Sequence, residues 1–239
     1  MSLGIDIGKY CIKMVELSKT GEDINVEKIG IFKICEDMKK YNLDNLSKSQ
    51  ISASIQDLTQ QLNLKPNKMK NVTTSLSGAH VDVRQLTTLD MPDHELLESL
   101  ELEAKKHMPL DGTDAIIDYH HLGTSETELD KINVILVTTT KSKIQDHSGL
   151  VKSSGFNSKV FDADPIALMN LYQNVNGLPE QGADVILNIG HTSTTIVVWG
   201  KNSGFFTRDI ELAGHEINQR IIREYNIDYE AADKKKNDL

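Results

Sequence analysis

A chain of 239 residues, 38% of them hydrophobic, is long enough for one large or two medium domains with a sizeable core. Its net charge of −9, from 35 acidic residues against 26 Lys and Arg, lacks the basic face that phosphate backbones require, so nucleic acid is not an expected partner. No run approaches the roughly 20 apolar residues that span a bilayer and the N-terminus lacks a secretory leader, so a soluble, cytoplasmic protein without a membrane span is expected. Cys11 and Cys35 lack metal-ligand spacing and read as free thiols in a reducing compartment.

Taken in order, residues 3–8 and 11–18 read as strands joined by a tight turn at Gly8–Tyr10, and 25–34 as a third strand. Leu46, Ile51, Ile55, Leu58 and Leu62 recur at helical spacing, with Ser47 as the cap. Residues 71–76 return to strand. A new unit begins near Gly78: "HVDVRQLTTL" is extended, and the next helix places Leu97, Leu100, Ala104 and His107 or Met108 on one stripe. Two strands follow at 114–123 and 131–140, then a helix that stops near Gly155, and "NSKVFD" closes the unit as a strand. "DPIALMNLYQNV" reads as a helix, and the loop at 176–182 as the main domain boundary, because Gly, Pro and polar residues cluster there. Strands at 184–189, 194–199 and 205–210 precede a helix from Ala213 to Tyr225. The terminal "DYEAADKKKNDL" starts another helix, with the lysines at 234–236 read as a frayed, solvated tail.

One device occurs twice. "LGIDIGKYCIKMVEL" and "ILNIGHTSTTIVVWG" both run an apolar strand into an Ile-Gly turn and back, aligning Asp6 with Asn188 and Gly8 with Gly190. Such a turn presents backbone N–H groups to anionic oxygens, and glycine removes the side chain that would keep a phosphate away. Lys9 and Lys13 supply positive charge at the first turn. Thr192 and its hydroxyl neighbours supply donors at the second, where His191 also sits. The Walker and dinucleotide glycine motifs are absent.

These stretches, with "SLSGAHVDVRQLTTLDMPDHELLESLELEAKKHMPLD", "INVILVTTTKSKIQDHSGLVKSSGF" and "VFDADPIALMN" between them, resemble the type IV pilus assembly protein PilM family of the actin-like ATPase superfamily. The resemblance implies an α/β chain with two actin-like (ribonuclease H-like) lobes and an inserted small α/β subdomain. Residues 1–78 form the first lobe, 79–162 the insertion, 163–182 a helix and linker back to that lobe, and 183–239 the start of an incomplete second lobe. It implies ATP and Mg²⁺ in the cleft, with Asp6, Gly8, Lys9 and Lys13 at the first phosphate site and Asn188, Gly190, His191 and Thr192 at the second. Asp6 and Asn188 would face the metal, and Gly214 lies in the segment after the third strand of the second lobe. The implied role is a cytoplasmic adaptor, peripheral at the inner face of the inner membrane. It would dock the N-terminal tail of a PilN-like inner-membrane protein through the inserted subdomain, alongside other pilus platform proteins or a second copy of itself.

Three departures bear on the nucleotide. Asn188 stands where an Asp is common, and an amide is a weaker ligand than a carboxylate for a hard cation. Lys9 and Tyr10 are bulky for a phosphate turn. The glycine-rich adenosine turn would lie beyond residue 239, so ATP binding or slow hydrolysis is expected only with that part present. The rival readings are an actin-like-fold phosphotransferase, which needs a carboxylate between the lobes, and a truncated remnant that binds no nucleotide.

Overall fold

Alternating burial along the first strands shows how this chain begins to fold. In the computed structural model, which describes residues 1–34, 46–107, 114–201 and 204–238, β1 (Ser2–Ile7) and β2 (Cys11–Thr20) pair antiparallel. Leu3, Ile5, Ile12 and Met14 turn to one face and are buried. β3 (Asp23–Lys33) adds antiparallel to β2. Helix α1 (Lys48–Gln61) covers that face with Ile55 and Leu58. Its start is a reciprocal cap: the Gln50 backbone N–H donates to the Ser47 hydroxyl and the Ser47 backbone N–H to the Gln50 side chain. Gly30 on β3 lets the helix approach, since a Cβ there would lie 2.8 Å from Leu58 Cδ1.

β4 (Asn71–Leu76) lies parallel to β1. The chain then leaves for the inserted unit, a sheet of β5 (Asp82–Leu89), β6 (Ala115–Thr124) and β7 (Lys131–Thr140) in the antiparallel order β5-β7-β6. Helix α2 (Asp93–His107) packs on one face of it, burying Leu96, Leu100 and Ala104 against Ile132, Val134 and Leu136. The buried stripe thus runs through Leu96 rather than the expected Leu97, which is 40% exposed. Spacings of three and four are both helical neighbours, and only the angle at which the helix meets the sheet selects between them.

The insertion is shorter than 79–162. Helix α3 (Lys141–Ser153), capped by Thr140, sends Val151 into the core beneath the first sheet, and Phe156 beyond it joins the same core. β8 (Val160–Ala163) then pairs parallel with β4, completing the order β3-β2-β1-β4-β8. The strand expected to close the insertion therefore belongs to the first lobe.

Helix α4 (Asp164–Asn176) leads to the second sheet, β9 (Asp184–Ile189), β10 (Thr194–Gly200) and β11 (Gly204–Ile210), in the order β11-β10-β9. Helices α5 (Gly214–Tyr225) and α6 (Tyr229–Asn237) follow. The loop at 176–182 does not separate two cores: Ile166 and Met169 of α4 pack with Val197, Trp199 and Phe205 of the second sheet and with Val83 and Ile135 of the insertion. The lysines at 234–236 lie within α6, whose Ala232 is fully buried, not in a frayed tail. Cys35 and Met108 fall outside the described residues. Among the described residues no helix is long and apolar enough to cross a membrane.

Leu100→Ala and Leu96→Ala should each cost about 2–5 kcal/mol in urea unfolding, and Leu97→Ala less than about 1 kcal/mol. A larger loss for Leu97 than for Leu96 would restore the stripe read from spacing.

Candidate functional site: the paired glycine turns

The two turns are built alike. The Gly8 N–H donates to the Cys11 carbonyl at 3.1 Å and the Gly190 N–H to the Ser193 carbonyl at 3.0 Å. A Cβ on Gly8 would come 2.8 Å from the Cys11 oxygen, and one on Gly190 2.7 Å from the Ser193 oxygen. Glycine is thus required by each turn's own closure, before any ligand is considered. The leading N–H of each turn is also already used.

Helix α5 consumes the next set of polar groups. Its N-terminal N–H groups at Gly214 and His215 donate to the carbonyls of Gly190 and His191, at 3.0 and 2.8 Å. These are donors that a helix start otherwise offers to an anion. A Cβ on Gly214 would lie 3.2 Å from the Gly190 carbonyl oxygen, which accounts for glycine at that position.

The charged residues are equally engaged. Asp6 and Lys13 face each other across β1 and β2, with Nζ 2.9 Å from Oδ2. Burial, the largest single influence, works against the Lys13 charge, but the hydrogen bond to Asp6 together with the charges of Asp6, Cys11 and Asp164 raises its pKa. Lys9 is exposed in the first turn. In the second lobe Asn188 stands opposite Thr195 on β10, and Thr195 Oγ1 donates to Asp209 on β11 at 2.5 Å. Thr192 sits part-exposed in the second turn. Among the described residues no group of three or more His, Cys, Asp or Glu side chains is arranged to hold a metal ion.

What joins the lobes is a row of rings. Tyr10 of the first turn stacks on His191 of the second, with centroids 4.8 Å apart and planes 15° from parallel. His191 in turn lies 5.4 Å from His215, and His215 lies 5.8 Å from Tyr229, whose hydroxyl is 3.3 Å from its Nδ1. Helix α6 fastens the row: Asp233 accepts from Tyr10 at 3.3 Å, Asn218 at 3.0 Å and Lys236 at 2.6 Å. Burial first, then the neighbouring His215 and Lys236, push the His191 pKa down to about 4, so its ring is neutral at neutral pH.

The phosphate clamp expected between the turns therefore does not fit these residues as placed. Tyr10 and His191 stack across the turns, the Gly8 and Gly190 N–H groups bond within their own turns, and Asp6 is held by Lys13 while Asn188 brings no charge.

Sequence reading missed Asp164, Asp209, His215, Tyr229 and Asp233. Each is distant in sequence from the turns, and only the packing of α4, β11, α5 and α6 brings it near. Tyr10 alone gave a local signal, as an oversized side chain. Asp164 opens α4 and accepts from the Ser75 hydroxyl. Burial, aided by the nearby Asp6 charge, lifts its pKa to about 6 against that hydrogen bond.

Comparison with known proteins decides the family. The model of the type IV pilus assembly protein PilM family matches residues 4–239. The chain belongs to that family. Among solved structures, a chain of a PilM–PilN type IV pilus biogenesis complex superposes with a TM-score of 0.80 at 21% identity, covering 99% of this chain and 69% of that one. The cytoplasmic domain of EpsL from the type II secretion system of Vibrio cholerae gives 0.53 at 11% identity, covering 95% and 75%. A Bacteroides thetaiotaomicron protein with an actin-like ATPase fold gives 0.50 at 11%, covering 94% and 74%. At these identities the structural likenesses show the fold alone, and this PilM family member is an α/β chain of the actin-like fold.

Two opposite pH effects follow from the titrating groups. His191 is held below the ordinary histidine value, so the stability it contributes is complete above about pH 6.5 and is lost as pH falls toward 4. His191→Phe, which keeps a ring on Tyr10, should flatten that loss in urea midpoints taken at about pH 7 and pH 5. Asp164 is held above the ordinary carboxylate value, so its charge costs stability above about pH 6 and the cost fades as pH falls. Asp164→Asn should therefore help more at about pH 7.5 than at pH 4.5, and the reverse order would contradict the buried-carboxyl assignment.

Proposed function

We propose that this chain is a docking adaptor of type IV pilus assembly, held peripherally at the cytoplasmic face of the inner membrane by the N-terminal tail of a PilN-like protein. Membership of the PilM family supports the assembly role, and the PilM–PilN complex among its structural neighbours supports the choice of partner. The reading assigns no surface to other platform proteins or to self-association.

The observation that carries the docking site is a groove of about 1000 Å³. Its floor is the face of the inserted sheet turned away from α2, with Ile135 and Val137 at its centre. Helix α4 forms one wall with Ile166 and Met169, and the β10–β11 hairpin closes one end with Trp199. Gln85 of the insertion pins that end by accepting the Phe205 N–H at 2.5 Å. A concave, largely preformed site with apolar walls suits a short extended segment.

In this reading the glycine turns, with Asp6, Lys13, Asn188 and Thr192, hold the lobes together and the adaptor works without turning over nucleotide. Asp164 would be the carboxylate that the phosphotransferase alternative needs.

The test is direct binding of a synthetic PilN-like tail from the same organism, followed by anisotropy and by emission of the single tryptophan. The tail should bind and shift the Trp199 emission. Met169→Glu should weaken binding by about tenfold or more, since each factor of ten is only about 1.4 kcal/mol, measured below the lowered melting temperature expected because Met169 also packs in the shared core. Wild-type affinity in Met169→Glu would move the site elsewhere. Deletion of 79–162 is not a usable test, because it removes β8 from the first sheet.

A further inference from the structure

The insertion and the second lobe meet at the edges of two sheets that share no ladder. β5 is an outer strand of the order β5-β7-β6 and β11 an outer strand of β11-β10-β9, and the two sheets stay separate. An edge N–H turned into such a contact needs an acceptor. For Phe205, which is buried, the acceptor is a side chain 120 residues away in the chain: Gln85 Oε1, at 2.5 Å.

The join is fitted from both sides. Gly204, at the start of β11, has φ +68°, and a Cβ there would come 2.7 Å from Gln85 Oε1 and 3.0 Å from Nε2. The hairpin thus approaches the amide as closely as only glycine allows. Around this polar contact the seam is apolar, with Val83 and Ile135 of the insertion against Val197, Trp199 and Phe205. Apolar burial has no direction, so the place of the hairpin along β5 rests most directly on the hydrogen bond.

The groove crosses this seam. Gln85 and Ile135 line it from the insertion, Met169 from α4, and Trp199, Gly204 and Phe205 from the hairpin. A segment lying in it touches both sides, and it gains its full contact only while the hairpin is drawn in.

We propose that Gln85 is a positioning residue for docking: its bond to Phe205 holds the groove in the shape that receives the tail, and the seated tail in turn holds that bond closed. Coupling of this kind is reciprocal, so what the bond adds to affinity the tail returns as protection of the Phe205 amide. The inference rests on the docking reading above and adds to it a link between the tail and the relative placement of the two lobes.

Three proteins test it: wild type, Gln85→Leu, which removes the acceptor at similar size, and Gln85→Glu, which keeps an acceptor. Each is titrated with the synthetic PilN-like tail in about 0.3 M salt, where the added charge of the Glu variant is largely screened. Hydrogen exchange of the Phe205 amide is followed by NMR with and without the tail, below the melting temperature of every variant. Gln85→Leu should bind the tail about tenfold more weakly, and Gln85→Glu within about threefold of wild type. The tail should slow Phe205 exchange about tenfold in wild type and in Gln85→Glu, and much less in Gln85→Leu. A Gln85 that only caps a buried N–H would lower the melting temperature of Gln85→Leu while tail affinity and tail-induced protection stay equal in all three proteins. That result overturns the proposal, as does a loss of affinity in Gln85→Glu equal to that in Gln85→Leu. If either comes with binding that Met169→Glu weakens, the docking site stands and only the coupling falls. A tail that does not bind wild type at all overturns both.

Discussion

The stack of Tyr10 on His191 is the contact on which the relation of the two lobes turns. It joins the tips of two hairpins that share no sheet, and helices α5 and α6 are arranged around it. Helix α5 plants its first two N–H groups on the carbonyls of the second turn, so turn and helix brace each other. Helix α6 then brings Asp233 to the Tyr10 hydroxyl and Tyr229 to His215. A neutral His191 suits this packing, because burial beside His215 and Lys236 disfavours the charged ring. The arrangement brings two glycine turns of the same geometry into contact.

The inserted sheet makes the second connection. One of its faces is sealed by α2, and the other is shared with α4 and the β10–β11 hairpin. That shared face is only partly filled. Apolar side chains continue from the core into the groove, with Ile135, Ile166 and Trp199 in both.

Much of the element order was legible before any contact was known. The strand at 184–189 and the one at 131–140 appear at the ends read from alternation, and the capping of α1 by Ser47 follows from the residue three positions on. The family, too, was carried by motif order. The stripe on α2 failed by one residue, because Leu96 and Leu97 both satisfy helical spacing with Leu100. The end of the insertion failed for a related reason: an apolar strand such as Val160–Ala163 does not state which sheet it joins. The glycine turns were correctly placed, but how much of their hydrogen bonding is spent inside the turns was not legible. Whether an N–H is free depends on where its own turn's carbonyl lies.

By itself, the sequence determined the local structure and the family, since periodicity, caps and turn residues act over a few positions along the chain. The tertiary structure decided which groups meet: Tyr10 with His191 and Asp233, Asp164 with Ser75, Gln85 with the N–H of Phe205. These contacts join residues far apart in the chain, and their geometry comes from how sheets and helices pack. For the same reason only the fold shows that the two turns meet through stacked rings and that a groove stands open beside the inserted sheet.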